Sequence, residues 1–216
     1  MRALVLQIGL SYRDWAEMME ERDVSVDPST NFHWGQHYAP EIEKWVYQYQ
    51  GHRSSSWRIE KAYVRVVGKW KDLFRAVDKH SQLIDFILSD RRDTGAAYRF
   101  LRKALRTMSG YPPLSITTDK LASYQDDLAP AGGSLLSKNV EQRTSKYLNN
   151  IIEAENGALK RVIRPTRGFQ RMRTAFVTLK GFEVMRMIRG GHCVLTQLGA
   201  TGEIRLVNHQ LFRLAA

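Results

Sequence analysis

The chain has 216 residues, a formal net charge of +11 at neutral pH, one cysteine and 43% hydrophobic residues. This hydrophobic content excludes a fully disordered chain, and the single cysteine excludes a disulfide framework or a cysteine-rich zinc module and fits a reducing compartment. No apolar run approaches the roughly 18–20 residues of a membrane span, so we expect a cytoplasmic protein with no membrane segment. The excess of cations favours an anionic partner, a nucleic acid or a membrane surface.

The first fifty residues have the pattern of a small helical region. Ser11 and Asp14 form a capping pair that opens a helix ending near position 22. Asp27 and Pro28 supply an N-cap and a first-turn proline for a second helix. Two helices around a short turn are typical of a helix-turn-helix, whose second helix enters the major groove of DNA, although a plain helical hairpin gives the same pattern. The candidates for base contacts on the second helix are Ser29, Thr30, Asn31, His33 and Gln36.

Residues 51–56 are polar and small, and they predict a linker to a second domain. Beyond this linker, segments rich in β-branched and aromatic residues alternate with short turns and predict an antiparallel meander of three strands, over 57–67, 70–77 and 83–88. The later predicted elements are a helix over 94–106, a strand over 114–118 and helices over 147–164 and 171–189. This order predicts a mixed α/β domain in which helices cover a sheet.

Three carboxylates stand out by their positions. Glu60 lies inside the first predicted strand, where a charge is costly unless it is solvated, paired or metal-bound. Asp119 directly follows the strand over 114–118, at the kind of strand end where α/β folds expose ligand-binding residues, and Glu153 lies in the next predicted helix. If the three converge, they form a Mg²⁺ site that can activate water or a 3′-hydroxyl for phosphodiester displacement. The alternative is that Glu60 and Glu153 are solvated and that Asp119 caps the next helix.

A cluster of cations follows the helix that carries Glu153. Its members are Lys160, Arg161, Arg164, Arg167, Arg171 and Arg173. Such a stripe beside a metal site suits a DNA backbone, because each neutralised phosphate releases counterions. A charge run more often forms a solvated face, but the net charge of +11 favours nucleic acid here.

Short segments over roughly residues 10–190 occur in a characteristic order. They include Leu10-Ser11-Tyr12-Arg13-Asp14, Tyr38-Ala39-Pro40-Glu41-Ile42, Gly68-Lys69-Trp70, Arg75-Ala76-Val77-Asp78, Thr118-Asp119-Lys120 and Lys146-Tyr147-Leu148-Asn149-Asn150. In this order the chain resembles the bacterial insertion-sequence transposases of the insertion sequence six type, which carry an acidic D-D-E triad on a ribonuclease-H-like domain.

The resemblance implies a domain organisation and an activity. It implies a helix-turn-helix over 1–50, a ribonuclease-H-like catalytic domain over 57–190 with a mixed sheet flanked by helices, and a C-terminal tail over 191–216. The implied activity is 3′-end nicking and strand transfer with Mg²⁺, for which Mn²⁺ can substitute, on terminal inverted repeats and target DNA. The implied assembly is a homodimer or larger complex on double-stranded DNA, associated with the nucleoid when bound. Glu60, Asp119 and Glu153 take the positions of the catalytic, metal-binding triad.

The chain departs from this family at the first acidic position. The family has Trp-Arg-apolar-Asp-Glu-Thr-Tyr, where this chain has Trp57-Arg58-Ile59-Glu60-Lys61-Ala62-Tyr63. The extra methylene of Glu60 moves the carboxylate by about an ångström, a displacement that can lower a rate by about 10²-fold. Lys61 is expected to add a cation beside the metals.

Two further departures are that 33 residues separate Asp119 from Glu153, one fewer than is usual in the family, and that the N-terminal region is expected to be shorter than in full-length relatives. Two hypotheses therefore stand: a transposase of reduced activity, and a catalytically inactive DNA-binding remnant. A general nuclease of the same fold fits the matched segments less well.

Overall fold

The computed structural model describes residues 12–48, 53–90, 95–118, 140–143, 157 and 168–192. Its elements are, in chain order, α1 (Tyr12–Glu20), α2 (Pro28–Gln48), β1 (Ser56–Val66), β2 (Lys69–Asp78), β3 (Leu83–Ser89), α3 (Gly95–Thr107), β4 (Ser115–Thr118), β5 (Glu141–Arg143) and α4 (Met172–Arg189). They form two compact units, one containing α1, α2 and α4, the other containing the five strands and α3. None of the described helices is both long and apolar enough to cross a membrane.

The second helix begins where the sequence predicts. Pro28 is the first residue of α2, and the Oδ1 atom of Asp27 accepts a hydrogen bond of 2.7 Å from the backbone N–H of Ser29. Hydrogen bonds from the Ser29 side chain and from its backbone N–H hold the pKa of Asp27 below its ordinary value, because they stabilise the charged carboxylate. The first predicted helix is also confirmed, as α1, although the expected cap Ser11 lies outside the described residues.

Helix α4 packs against α2 in the helical unit. The Nε2 atom of Gln36 donates to the Oγ1 atom of Thr178 at 2.8 Å, and Lys180 forms an ion pair with Glu43. Tyr12 of α1 also hydrogen-bonds Thr178, and burial raises the pKa of the Tyr12 hydroxyl. These contacts group α4 with the N-terminal helices, whereas the boundaries inferred from sequence place residues 57–190 together.

The five strands form one sheet in the order β3-β2-β1-β4-β5. The pairs β1–β2 and β2–β3 are antiparallel, whereas β1–β4 and β4–β5 are parallel. The predicted meander and the predicted short strand after it are therefore confirmed. This strand order and this set of directions are those of a ribonuclease-H-like domain, as the resemblance implies. Strand β5 was not predicted, because a three-residue polar segment has no alternating pattern.

The first half of the central strand β1 is buried on both faces. On one face, Trp57 and Ile59 pack with Phe74 of β2 and Phe100 of α3 in the main hydrophobic cluster. Because successive strand residues point to opposite faces, Glu60 and the neighbouring alternate positions Ala62 and Val64 lie on the other face, and they too are buried. The ionisable side chain of Glu60 is therefore removed from water.

The last part of the predicted linker 51–56 is attached to the sheet. The backbone N–H of Ser54 donates to Asp78 at 2.9 Å, and the carbonyl oxygen of Ser55 accepts from the N–H of Leu114 at 2.9 Å. Strand β1 begins at Ser56. The backbone of Ser54 and Ser55, within the predicted linker, therefore helps to fix the start of the parallel β1–β4 pair.

Candidate active site on the central strand

The three predicted triad acids differ in what the structure describes. Glu60 lies in the middle of β1, whereas Asp119 and Glu153 lie outside the described residues, so the convergence of the three stays a prediction. The parallel register pairs Ile59 of β1 with Thr118 of β4, the last pair of the two strands. Glu60 follows Ile59 in the chain, and Asp119 follows Thr118.

Glu60 forms a buried ion pair with Arg75. The two residues lie directly opposite each other in the β1–β2 register, and the Nη1 atom of Arg75 lies 3.3 Å from the Oε2 atom of Glu60. Their side chains are 0–1% exposed. The pair explains how a carboxylate is tolerated inside a buried strand, because a buried charge has to be paired or bound to a metal. The sequence contains a signal for this partner, a cation in the middle of the second predicted strand, but finding it requires the strand register.

Lys61 is not the cation beside Glu60. Its Nζ atom lies 3.0 Å from the Oδ2 atom of Asp72, and 5.3 Å from the ring centroid of Phe74. Adjacent residues of a strand point to opposite faces, so the Lys61 side chain lies on the face opposite to Glu60. The expectation that Lys61 adds a cation beside Glu60 is therefore wrong, and the cation that lies beside the Glu60 carboxylate is Arg75.

Carboxylates suit a magnesium site by their chemistry, because Mg²⁺ prefers oxygen ligands. In the part of the chain that the structure describes, no group of three His, Cys, Asp or Glu side chains could hold a metal ion. Glu60 fits as a donor type, but the buried Arg75 guanidinium already neutralises its charge. A cation binding at Glu60 would have to share that carboxylate with Arg75.

Two other buried carboxylates of the sheet have structural roles. Asp78 accepts hydrogen bonds from the backbone N–H groups of His80 and Gln82, at 2.8 and 2.9 Å, and so fixes the β2–β3 turn. Asp85 pairs with Lys103 of α3 at 2.7 Å, which attaches the helix to the sheet. Asp72, another buried aspartate of the described strands, pairs with Lys61, and Glu60 is the described carboxylate that the resemblance assigns to the triad.

The candidate DNA-contacting residues of α2 fall into two groups. Ser29 and His33 are exposed and Thr30 is half-buried. Asn31 is only 1% exposed and Gln36 is bonded to α4, which corrects the expectation that these two lie on an open recognition face. Asn31 is buried because it begins a stripe of buried positions with a helical spacing of three or four residues, namely Asn31, Gly35, Ala39, Ile42 and Val46.

The predicted basic cluster is described only at its end. Lys160, Arg161, Arg164 and Arg167 lie outside the described residues. Arg171 and Arg173 are exposed, and Arg171 is the N-cap residue of α4, with no hydrogen bond from its side chain to the helix end. The first turn of this helix contains no acidic residue. Cations at a helix N-terminus oppose the helix dipole, so this arrangement does not stabilise the helix.

Several known proteins are similar to this chain in sequence. A family model described as a DDE domain matches residues 54–192. The transposase for insertion sequence-like element IS431mec of Staphylococcus aureus is 35% identical over 178 residues, which are 82% of this chain and 77% of that protein. The transposase for insertion sequence element IS257 in transposon Tn4003 of Staphylococcus aureus has the same identity and coverage.

Two solved structures also show similarity. The HTLV-2 integrase catalytic core domain in complex with magnesium has a TM-score of 0.43 at 10% identity, covering 65% of this chain and 88% of that chain. The simian T-cell lymphotropic virus intasome in complex with PP2A regulatory subunit B56 gamma has a TM-score of 0.44 at 16% identity, covering 65% of this chain and 50% of that chain. On the family match and the identity to the insertion-sequence proteins, the chain belongs to the DDE transposases of bacterial insertion sequences, of the insertion sequence six type.

Proposed function

We propose that this chain binds the terminal inverted repeats of an insertion sequence and catalyses metal-dependent 3′-end nicking and strand transfer, at a rate lowered by the Glu60–Arg75 pair. The observation that carries the proposal is the parallel register of β1 and β4, in which Ile59 is opposite Thr118. Continuing this register by one pair would set Glu60 beside Asp119, at the edge where parallel strands expose ligand-binding residues.

The residues that would hold Mg²⁺, or Mn²⁺ in its place, are Glu60, Asp119 and Glu153. When bound, such ions supply Lewis-acid stabilisation of the attacking and leaving oxygens of a phosphodiester. Of this set, the structure describes Glu60, which supplies a carboxylate oxygen of the type that Mg²⁺ binds.

The Arg75 guanidinium is the reason to expect a lowered rate. At 3.3 Å from Glu60, its attraction amounts to about 5 kcal/mol at an effective dielectric constant of about 20. A metal ion would compete with the Arg75 guanidinium for the same carboxylate, so the affinity of Glu60 for the metal falls. The longer side chain of Glu60 adds a displacement of the carboxylate relative to the family's aspartate.

DNA binding is proposed at the exposed residues among the sequence candidates. These are Ser29 and His33 of α2 and Arg171 and Arg173 at the start of α4. The arginines lack a structural benefit where they stand, which supports contacts with phosphates. In this proposal the protein acts as a homodimer or larger assembly on DNA and is associated with the nucleoid when bound.

The same Glu60–Arg75 pair favours a second candidate function, DNA binding without catalysis. A carboxylate that is already neutralised in a buried pair has no need of a metal ion. The two candidates make different predictions for metal-dependent cleavage but the same prediction for salt-dependent DNA binding.

A nicking assay distinguishes the two functions. The substrate is a labelled duplex that carries the element's terminal repeat, incubated with the full chain in Mg²⁺ or Mn²⁺. If the chain is a transposase, metal-dependent 3′-end nicking appears and Asp119→Asn abolishes it. The matched control is Asp23→Asn, which neutralises an exposed carboxylate in the α1–α2 turn. Binding without cleavage would support the second function, and cleavage that survives Asp119→Asn would refute the assigned site.

A further inference from the structure

The outer surface of α3 is a row of cations. Arg99, Arg102, Lys103 and Arg106 are all exposed, and their spacing of three, four and seven residues from Arg99 places them on one helical face. The helix Gly95–Thr107 contains no acidic residue. We call this surface, made by the four residues, the α3 basic face.

The opposite side of α3 is fixed to the sheet. Ala97, Phe100, Leu101 and Ala104 are buried in the main hydrophobic cluster, together with Phe74 and Ile116 of the strands. The helix is therefore held on the sheet by a large apolar contact, which fixes the position of its outer side.

Two of the four cations, Arg99 and Lys103, have interaction partners, and Lys103 has a structural role. The Nζ atom of Lys103 bonds to Asp85 at 2.7 Å and to the carbonyl oxygen of Phe86 at 2.9 Å. By contrast, no carboxylate pairs with Arg102 or Arg106 among the residues that the structure describes. Exposed cations elsewhere do pair, as Arg13 does with Glu17 at 3.6 Å.

Like charges three or four residues apart destabilise a helix by about 0.2–0.5 kcal/mol per pair. Arg102 and Arg106 lie four residues apart with no carboxylate partner among the described residues, so their repulsion works against helix stability and packing of the apolar side has to compensate for it. A ligand that neutralises the arginines would remove this repulsion.

We propose that the α3 basic face binds the phosphate backbone of duplex DNA through Arg99, Arg102 and Arg106. The helix rise of about 1.5 Å per residue separates Arg99 from Arg106 by about 10.5 Å along the axis. Phosphates of one DNA strand follow each other every ~3.4 Å along the duplex axis, so the row spans about three of them. The guanidinium group suits phosphate because its planar donors can bind two oxygens at once. This inference rests on the proposed function, that the chain acts on DNA, and adds a contact surface separate in sequence from residues 160–173.

The salt dependence of DNA binding tests the inference. The full chain is titrated into a labelled duplex of random sequence at NaCl concentrations from about 50 to about 200 mM, the range over which phosphate contacts dominate the salt effect. Each lost phosphate contact lowers the slope of log K against log salt by about 0.9, so the variant R99Q/R102Q/R106Q should lower it by about 2–3. Glutamine is a good helix former, so the helix should be retained, and far-UV circular dichroism checks this.

The matched control removes the same charge from the same unit. Arg65, Lys69 and Lys79 are exposed at the ends of the sheet. The variant R65Q/K69Q/K79Q should change the slope by no more than the loss of one phosphate contact would, about 0.9. A second variant, R99K/R102K/R106K, keeps the charge and should keep most of the slope. If the wild-type chain binds DNA and R99Q/R102Q/R106Q has the same slope of log K against log salt, this inference is refuted and the proposed function is not. A wild-type chain with no salt-dependent binding would instead refute the proposed function.

Discussion

Disrupting the Glu60–Arg75 pair should destabilise the protein strongly, whereas replacing both partners together should not. Both side chains are 0–1% exposed and their charged atoms lie 3.3 Å apart, so removing one partner leaves the other charge buried. Such a loss costs about 3–5 kcal/mol, and replacing a whole buried pair by apolar residues is often neutral or stabilising. We therefore expect Arg75→Met and Glu60→Leu each to lower the free energy of unfolding by about 3–5 kcal/mol, and E60L/R75M to lower it by less than either.

The assay is urea unfolding of the full chain at neutral pH without DNA, analysed as a double-mutant cycle. The control is the exposed pair of Arg143 and Glu141, whose side chains are 55% and 60% exposed. Disrupting that pair should change the free energy of unfolding by under about 1 kcal/mol. If the double variant loses the sum of the two single losses, Glu60 and Arg75 act independently and the pairing explanation is refuted.

Three further predictions concern single side chains. Asp27→Ala should lower the melting temperature at neutral pH, because the pKa of Asp27 is lower in the folded state than in the unfolded state. The Asp27 carboxylate therefore stabilises the fold above its unfolded-state pKa, and this stabilisation is lost as the pH falls through its folded-state pKa. The difference from wild type should shrink below about pH 4, and a constant difference would contradict the N-cap role. Burial raises the pKa of Tyr12, so the protonated Tyr12 hydroxyl stabilises the fold fully below its unfolded-state pKa, and this stabilisation is lost as the pH rises through its folded-state pKa. Tyr12→Phe should therefore reduce the fall in melting temperature above about pH 10. An unchanged fall would contradict the assignment of this pH dependence to Tyr12. Glu60→Asp should raise metal-dependent nicking, because it restores the family's aspartate and shortens the side chain that pairs with Arg75. Unchanged nicking would show that Glu60 does not limit the nicking rate.

Local signals in the sequence predicted much of the fold. Asp27 and Pro28 mark the start of α2 because an N-cap and a first-turn proline act within a few residues. The three-stranded meander follows from alternation and turn residues. Strand β5 could not be found in this way, since Glu141–Arg143 is too short for a period to appear and is stabilised by pairing with β4.

The candidate site was less predictable, because its main feature is a contact across strands. Glu60 and Arg75 are fifteen positions apart in the sequence, and only the β1–β2 register sets them opposite each other. Asn31 has a similar explanation: its polar side chain suggested a surface role, but helical periodicity places it on the buried side of α2. Residue type indicated the chemistry in both cases, and tertiary packing determined the exposure.

The chain differs from the family motif at Glu60, Lys61 and Ala62, and the direction of each side chain on β1 determines what each difference affects. Lys61 lies on the face that packs against α3, where it pairs with Asp72, so its replacement acts on packing. Glu60 and Ala62 lie two residues apart and share the opposite face. Ala62 carries no ionisable group, so of these three positions only Glu60 determines whether this face of β1 presents a carboxylate. Arg75 is opposite Glu60, so in the proposed function this pair lowers the charge that Glu60 offers to a metal ion. We therefore expect changes at positions 60 and 75 to alter metal-dependent cleavage, and changes at position 61 to alter stability more than cleavage.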